Sequence, residues 1–214
     1  MFNSLIAIVM FIITTILFHV LYGIKGKNIS GKSSKKFTVR SVFYVTIVIL
    51  GSRVISNDLV VFILTPFSKM LMTKSMLEAL NEVVQVPFLA YVYITGPAME
   101  ELVFRGVILG GLLKTYSVKK SIIISSILFG VVHLNGIQFI NAFLLGILIG
   151  YIYVKTKSMY LCMYFHILFN TIDVIFIYLP EIQNLLLSIP FTILGVLFII
   201  YGLKKINGFK IDIC

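Results

Sequence analysis

"GPAMEELVFRG", residues 96–106, sets two adjacent glutamates and an arginine among neighbours that are almost all apolar. A soluble domain would carry such a segment at its surface, whereas a membrane chain must give the charges a polar interior. Composition points to the second case. The 214 residues are 59% hydrophobic and 12% charged, with a mean hydropathy of +1.06, outside the range of soluble globular proteins. The two cysteines, Cys162 in an apolar run and Cys214 at the end, have neither disulfide nor metal-ligand spacing.

Working outward from this stretch, apolar runs able to cross about 30 Å of hydrocarbon fall at roughly 4–24, 41–64, 84–112, 121–135, 137–154, 159–179 and 183–203. The expected fold is therefore an all-α, polytopic membrane helical bundle of about seven transmembrane helices. Of the 18 Lys and Arg residues, six lie in 25–40, three in 113–120, two in 155–158 and three in the tail. These 14 share one side; Lys69 and Lys74 lie on the other, and Arg53 and Arg105 lie inside runs. Positive-inside logic makes the rich side cytoplasmic and the N-terminus external. The +10 formal charge is thus topological, and no nucleic-acid partner is expected.

Three regions follow: an N-terminal anchor region, 1–82; a catalytic core, 83–180; and a last span with a cytoplasmic tail, 181–214. The first run lacks a basic start and a small-residue cleavage site, so it reads as a retained anchor, with His19 near its cytoplasmic end. Arg53, Asn57 and Asp58 could divide the second run into two helices, making eight, but charge parity favours one. Arg53 and Asp58 are expected to pair or to reach the outer headgroups. The segment 65–84 has apolar residues at helical spacing after Thr65 and Pro66, and reads as a helix lying on the outer surface. "HLNGIQ", 133–138, reads as a tight turn, and Gly146 with Gly150 as a close-packing pair.

The polar residues within the later runs are Glu100, Glu101 and Arg105, then His133, then His166, Asn170 and Asp173. At about 1.5 Å per helical residue, Glu100 lies roughly 21 Å above Lys114, His133 about 20 Å above Lys120, and Asn170 about 20 Å above Lys157, with His166 one turn lower. Groups from three helices therefore share one level. His166 and Asn170 are spaced i, i+4, as are Glu101 and Arg105, which can pair within their helix. Glu100 is rotated about 100° from Glu101 and can face another neighbour. Pro97 after Gly96 is expected to kink or restart the helix, placing Glu100 in a first turn with free amides.

A carboxylate, two imidazoles and a carboxamide, with no nucleophilic side chain beside them, suit hydrolysis by an activated water. Glu100 would act as base and His133 would hold the water. His166 and Asn170 would donate to the oxyanion of a tetrahedral intermediate.

"EELVFR" (100–105), "FGVVH" (129–133) and "HILFN" (166–170) resemble the E-E-x-x-x-R, F-x-x-x-H and H-x-x-x-N motifs of the CPBP family. That family comprises the CAAX-protease and bacteriocin-processing intramembrane proteases. The resemblance covers about 84–175. It implies a glutamate-dependent peptidase in which Glu100, His133, His166 and Asn170 are catalytic and Glu101 and Arg105 support them. The chain has no H-E-x-x-H zinc signature. Glu, His and His could ligate zinc as in a metalloprotease, but no metal is expected. Asp173, outside the motif, either orients His166 or lines the cavity. The partners implied are the bilayer and a peptide or membrane-associated protein substrate. Processing of peptides or proteins and bacteriocin self-immunity are the expected roles. The alternatives are a non-enzymatic scaffold or immunity protein that binds a peptide, and a small proton-coupled transporter, against which stands the lack of an inverted repeat of broken helices.

Overall fold

The structure, a computed structural model, describes Ile16 and residues 38–59, 90–134 and 136–208. The first span, His19, the outer-surface helix, most of the 25–40 loop and the last six residues of the tail lie outside the described residues. Among those described there are seven helices and no strand. Helix α1 is Val39–Asp58. Helix α2 is a continuous rod of four segments, Tyr91–Thr95, Gly96–Glu101, Leu102–Leu109 and Gly110–Leu112. Then come α3, Val118–Val131; α4, Gly136–Thr156; and α5, Met159–Tyr178. Short α6 is Pro180–Leu186, and α7 is Ile189–Asn207. The protein is an all-α membrane helical bundle, and α1, α4 and α7 are each long and apolar enough to cross a bilayer.

Local chemistry sets the ends of these helices. Thr38 caps α1 through a capping box: its hydroxyl accepts from Ser41 N at 3.2 Å, while Ser41 Oγ accepts from Thr38 N at 3.0 Å. Lys157 adopts φ 52°, reversing the chain before Ser158 caps α5 by accepting from Leu161 N at 3.3 Å. The expected run at 183–203 is instead divided. Pro180 and Pro190 each lie in the first turn of their helix, where a missing N–H costs nothing, and extended Ser188 separates α6 from α7. Lys204 and Lys205 sit in the last turn of α7, the favourable end of its dipole.

α1 is one unbroken helix through Arg53 and Asn57. It packs on α7 where both present glycine: a Cβ on Gly51 would lie 2.4 Å from Gly195 O, and one on Gly202 would lie 2.4 Å from Val48 Cγ2. The second close pairing, α3 with α4, uses the expected glycines. Gly146 lies against Ser126 and Gly150 against Ile122. α5 is central and touches α1, α2 and α4. Polar side chains tie the layers where no water competes: Thr46 Oγ1 to Tyr164 OH at 2.8 Å, Ser125 Oγ donating to Phe104 O at 3.2 Å, and Thr192 Oγ1 donating to Asp58 Oδ2 at 2.6 Å. Ile193, Leu197 and Ile200 of α7 stay exposed, as a lipid-facing surface requires.

Pro97 neither breaks nor restarts α2. Residues Tyr91–Thr95 widen into π-helical turns, with Gly96 N–H bonded to Tyr91 O, and the helix continues through the proline. The wider turn accommodates the pyrrolidine ring without a chain break. Glu100 therefore sits in continuous helix, without the free first-turn amides expected for it. A second π-helical segment, Leu102–Leu109, follows directly and contains Arg105.

Candidate active site

A cavity of ≈ 530 Å³ opens between α1, α2, α3, α4 and α5. Its walls include Glu100, His133, His166 and Asn170, which the structure thus brings together from α2, the turn after α3, and α5. The adjacent glutamates separate by exposure. The Glu100 side chain is 38% exposed to the cavity, while that of Glu101 is 0% exposed. Only Glu100 can meet a substrate.

Glu101 lies at the centre of a buried network. Arg105 Nη1, in a side chain 1% exposed, stands 3.0 Å from Glu101 Oε1. Its N–H bonds are not directed at that oxygen, so the attraction is Coulombic and not a well-formed hydrogen bond. Arg105 Nη2 donates to Gly146 O on α4 at 3.3 Å, and the guanidinium lies 4.9 Å above the Phe129 ring. Glu101 Oε1 also accepts from His166 Nδ1 at 2.8 Å. A carboxylate oxygen only accepts, so the proton belongs to Nδ1 and Nε2 is the nitrogen turned to the cavity. That Nε2 is 3.7 Å from Glu100 Oε2, within Coulombic reach and beyond a hydrogen bond. The imidazole therefore stands between the two glutamates.

His133 is held by another route. Its Nδ1, in the turn just past the end of α3, donates to Phe129 O of the last helical turn at 2.8 Å, which again leaves Nε2 for the cavity. The Phe129 ring meets both histidines edge-on, at 5.1 Å and 5.6 Å with 90° between planes. Phe129 thus fixes His133 through its carbonyl, packs both imidazoles and carries Arg105 on its face. The spacing of "FGVVH" marked the residue without disclosing these contacts. Asn170 lines the cavity one turn beyond His166.

One expectation is corrected and one alternative is resolved. Arg53 does not pair with Asp58 or reach a headgroup; its guanidinium pairs with Asp173 on α5, and Asp58 accepts from Thr192. Asp173 consequently lines the cavity, and the carboxylate that orients His166 is Glu101. The cavity also includes residues outside the three motifs: Arg53, Ser56 and Asn57 of α1, Asn141 of α4 and Gln183 of α6. Arg53 was visible as a charge within an apolar run, but only the folded chain supplies its partner.

Among the described residues, no three His, Cys, Asp or Glu side chains converge as a metal-binding group. The tautomers would suit ligation, but Glu100, His133 and His166 do not close on a common point, so no chemical step is derived through a metal.

Residues 82–172 match the family model described as "Type II CAAX prenyl endopeptidase Rce1-like". A Bacillus subtilis (strain 168) protein named "Putative membrane peptidase YdiL" is 32% identical over 111 residues, 51% of this chain and 45% of that relative. The chain thus aligns with less than half the length of the relative. No solved structure matches it. The matched segment encloses all three motifs and every cavity group that they supply, and over it the chain is similar to the Rce1-like CAAX prenyl endopeptidases and to a membrane peptidase.

Proposed function

We propose that this protein is an intramembrane endopeptidase that hydrolyses a peptide bond with a water activated at Glu100. The observation that carries the reading is the placing of Glu100, His133, His166 and Asn170 around one cavity, with both histidine tautomers set by acceptors outside it. Glu100 is the exposed carboxylate and takes the proton of the attacking water. His133 presents Nε2 as an acceptor that holds this water. His166, with Nδ1–H held by Glu101, donates from Nε2 as an imidazolium, and in that form it contacts the oxyanion. Asn170 Nδ2 supplies the second oxyanion contact, and Glu100 passes the proton it took from water to the leaving amine, which restores its carboxylate. Arg105 stands against Glu101, the carboxylate that holds His166.

The substrates are membrane-associated peptides or proteins, whose cleavage would serve precursor processing or immunity to a bacteriocin. The enzyme lies in the cell membrane with its N-terminus outside and its C-terminus in the cytoplasm, as the lysine distribution requires.

The test maps peptide termini in membranes of cells expressing the wild-type protein or Glu100→Gln at equal level. Termini that appear with the wild type and vanish with Glu100→Gln are expected, and the purified variant should cleave a peptide spanning such a bond at least about 100-fold more slowly. Identical termini in the two membranes would refute hydrolysis.

A further inference from the structure

Asn141, in the α4 wall, is reached by a chain of hydrogen bonds that begins on α1. Arg53 Nη1 donates to Ser56 Oγ at 3.3 Å, and Ser56 Oγ lies 2.9 Å from Asn141 Oδ1. A guanidinium only donates, so Ser56 Oγ accepts from Arg53, and it gives its own hydrogen to Asn141 Oδ1. The carbonyl oxygen of Asn141 is thus the atom engaged by Ser56, which leaves its NH2 to another acceptor. The origin of the chain is anchored: Arg53 pairs with Asp173 and lies 4.9 Å over the ring of Phe169 and 5.3 Å over that of Phe176, all on one face of α5.

Asn57, one residue after Ser56, is arranged in the same way. Gln183 Nε2 donates to its Oδ1 at 2.7 Å, and its Nδ2, in a residue only 2% exposed, has no partner among the described residues. Both asparagines line the cavity that holds Glu100. Each has its carbonyl engaged by a neighbour and an NH2 left to donate, a combination that selects an acceptor. The acceptor is neutral, because the Arg53 charge is already met by Asp173 and that of Arg105 by Glu101. A carboxylate would add a further negative charge beside Glu100, whereas a main-chain carbonyl oxygen adds none.

We propose that Asn141 and Asn57 form a substrate subsite, donating their carboxamide N–H bonds to main-chain carbonyls of the peptide in the cavity, with Ser56 and Arg53 as positioning residues. The subsite rests on the peptidase reading and adds what the α1 side of the cavity recognises. Asn57, Ser56 and Arg53 lie outside the matched segment 82–172.

The probe is a capped decapeptide spanning the bond found by terminal mapping, and its affinity is measured on the cleavage-silent Glu100→Gln protein in micelles. Asn141→Asp keeps an oxygen toward Ser56 but replaces the donor with an acceptor; Kd should rise about tenfold or more. Asn141→Leu, uncharged, should weaken binding in the same direction. Ser56→Ala frees the carboxamide to rotate and should raise Kd about threefold, while Ser56→Thr, which keeps the hydroxyl, should restore it. A thioamide at the contacted carbonyl, a poorer acceptor, should weaken binding to the parent but add little to Asn141→Leu, a coupling that a purely structural role would not produce. Should Asn141→Asp fail to elute as a folded species, Ser56→Ala and Asn141→Leu decide. Affinities within twofold of the parent for these variants would overturn the subsite. Failure of the peptidase reading shows earlier and separately, as the absence of any Glu100-dependent bond in the mapping.

Discussion

Replacing Arg105 by alanine tests the buried network beneath the cavity. The side chain is 1% exposed and its partner Glu101 is 0% exposed, so the change leaves a carboxylate deep in the bundle with His166 Nδ1 as its remaining donor. Removing one member of a buried pair costs about 3–5 kcal/mol, most of it from the uncompensated charge left behind. The observed geometry places Arg105 near the lower end. Nη1 is close to Oε1 but poorly aligned, and Glu101 Oε2 has no hydrogen-bond partner among the described residues. The hydrogen bond to Gly146 O and the contact with Phe129 are lost as well, and about 1 kcal/mol for each brings the total to about 5 kcal/mol. The assay is folded yield and thermal stability in detergent, read by size-exclusion chromatography with fluorescence detection. The single variant should fall sharply. Glu101→Gln with Arg105→Gln should recover about 2 kcal/mol, since it removes the charge while the new carboxamide keeps an oxygen for His166. Equal losses for the single and double variants would refute the account, because they would show that the buried charge contributes nothing.

Three other changes probe different parts of the molecule. Gly51→Ala should cost about 1–3 kcal/mol and lower activity as well, because its methyl would meet the Gly195 backbone oxygen and push away the helix that carries Arg53 and Ser56; thermal stability and cleavage rate measured together check this. In a protein whose two native cysteines are changed to serine, Val118→Cys and Ile182→Cys, both at exposed positions, should label from opposite sides of the membrane, 118 from the cytoplasm; labelling of 118 from outside would invert the proposed orientation. Asn170→Ala should lower turnover about 10² to 10³-fold with peptide affinity retained, and prolonged chelation should leave the wild-type rate unchanged, whereas stoichiometric zinc whose removal abolishes cleavage would recast Glu100, His133 and His166 as ligands.

The sequence by itself determined the solvent, the class and the motif residues. A mean hydropathy of +1.06 leaves no route to a soluble fold, and the three motifs place chemistry-bearing groups at equal depth because helical rise is constant. Relations within a single helix were also legible, such as the i, i+4 pairing of Glu101 with Arg105 and the small face of Gly146 and Gly150, since backbone geometry alone fixes them. The rotation of one helix against another was not. In hydrocarbon both faces of a helix are apolar, so no amphipathic stripe reports which face turns inward. Only the tertiary structure decided that α1 pairs with α7, that Arg53 reaches Asp173 across 120 residues of chain, and that His166 rests on Glu101. It also decided that π-helical turns precede Pro97 and that the helix continues through it without a break. The orientation of Asn141 was equally hidden, because its partner Ser56 lies 85 residues away in the chain and meets it only in the folded bundle.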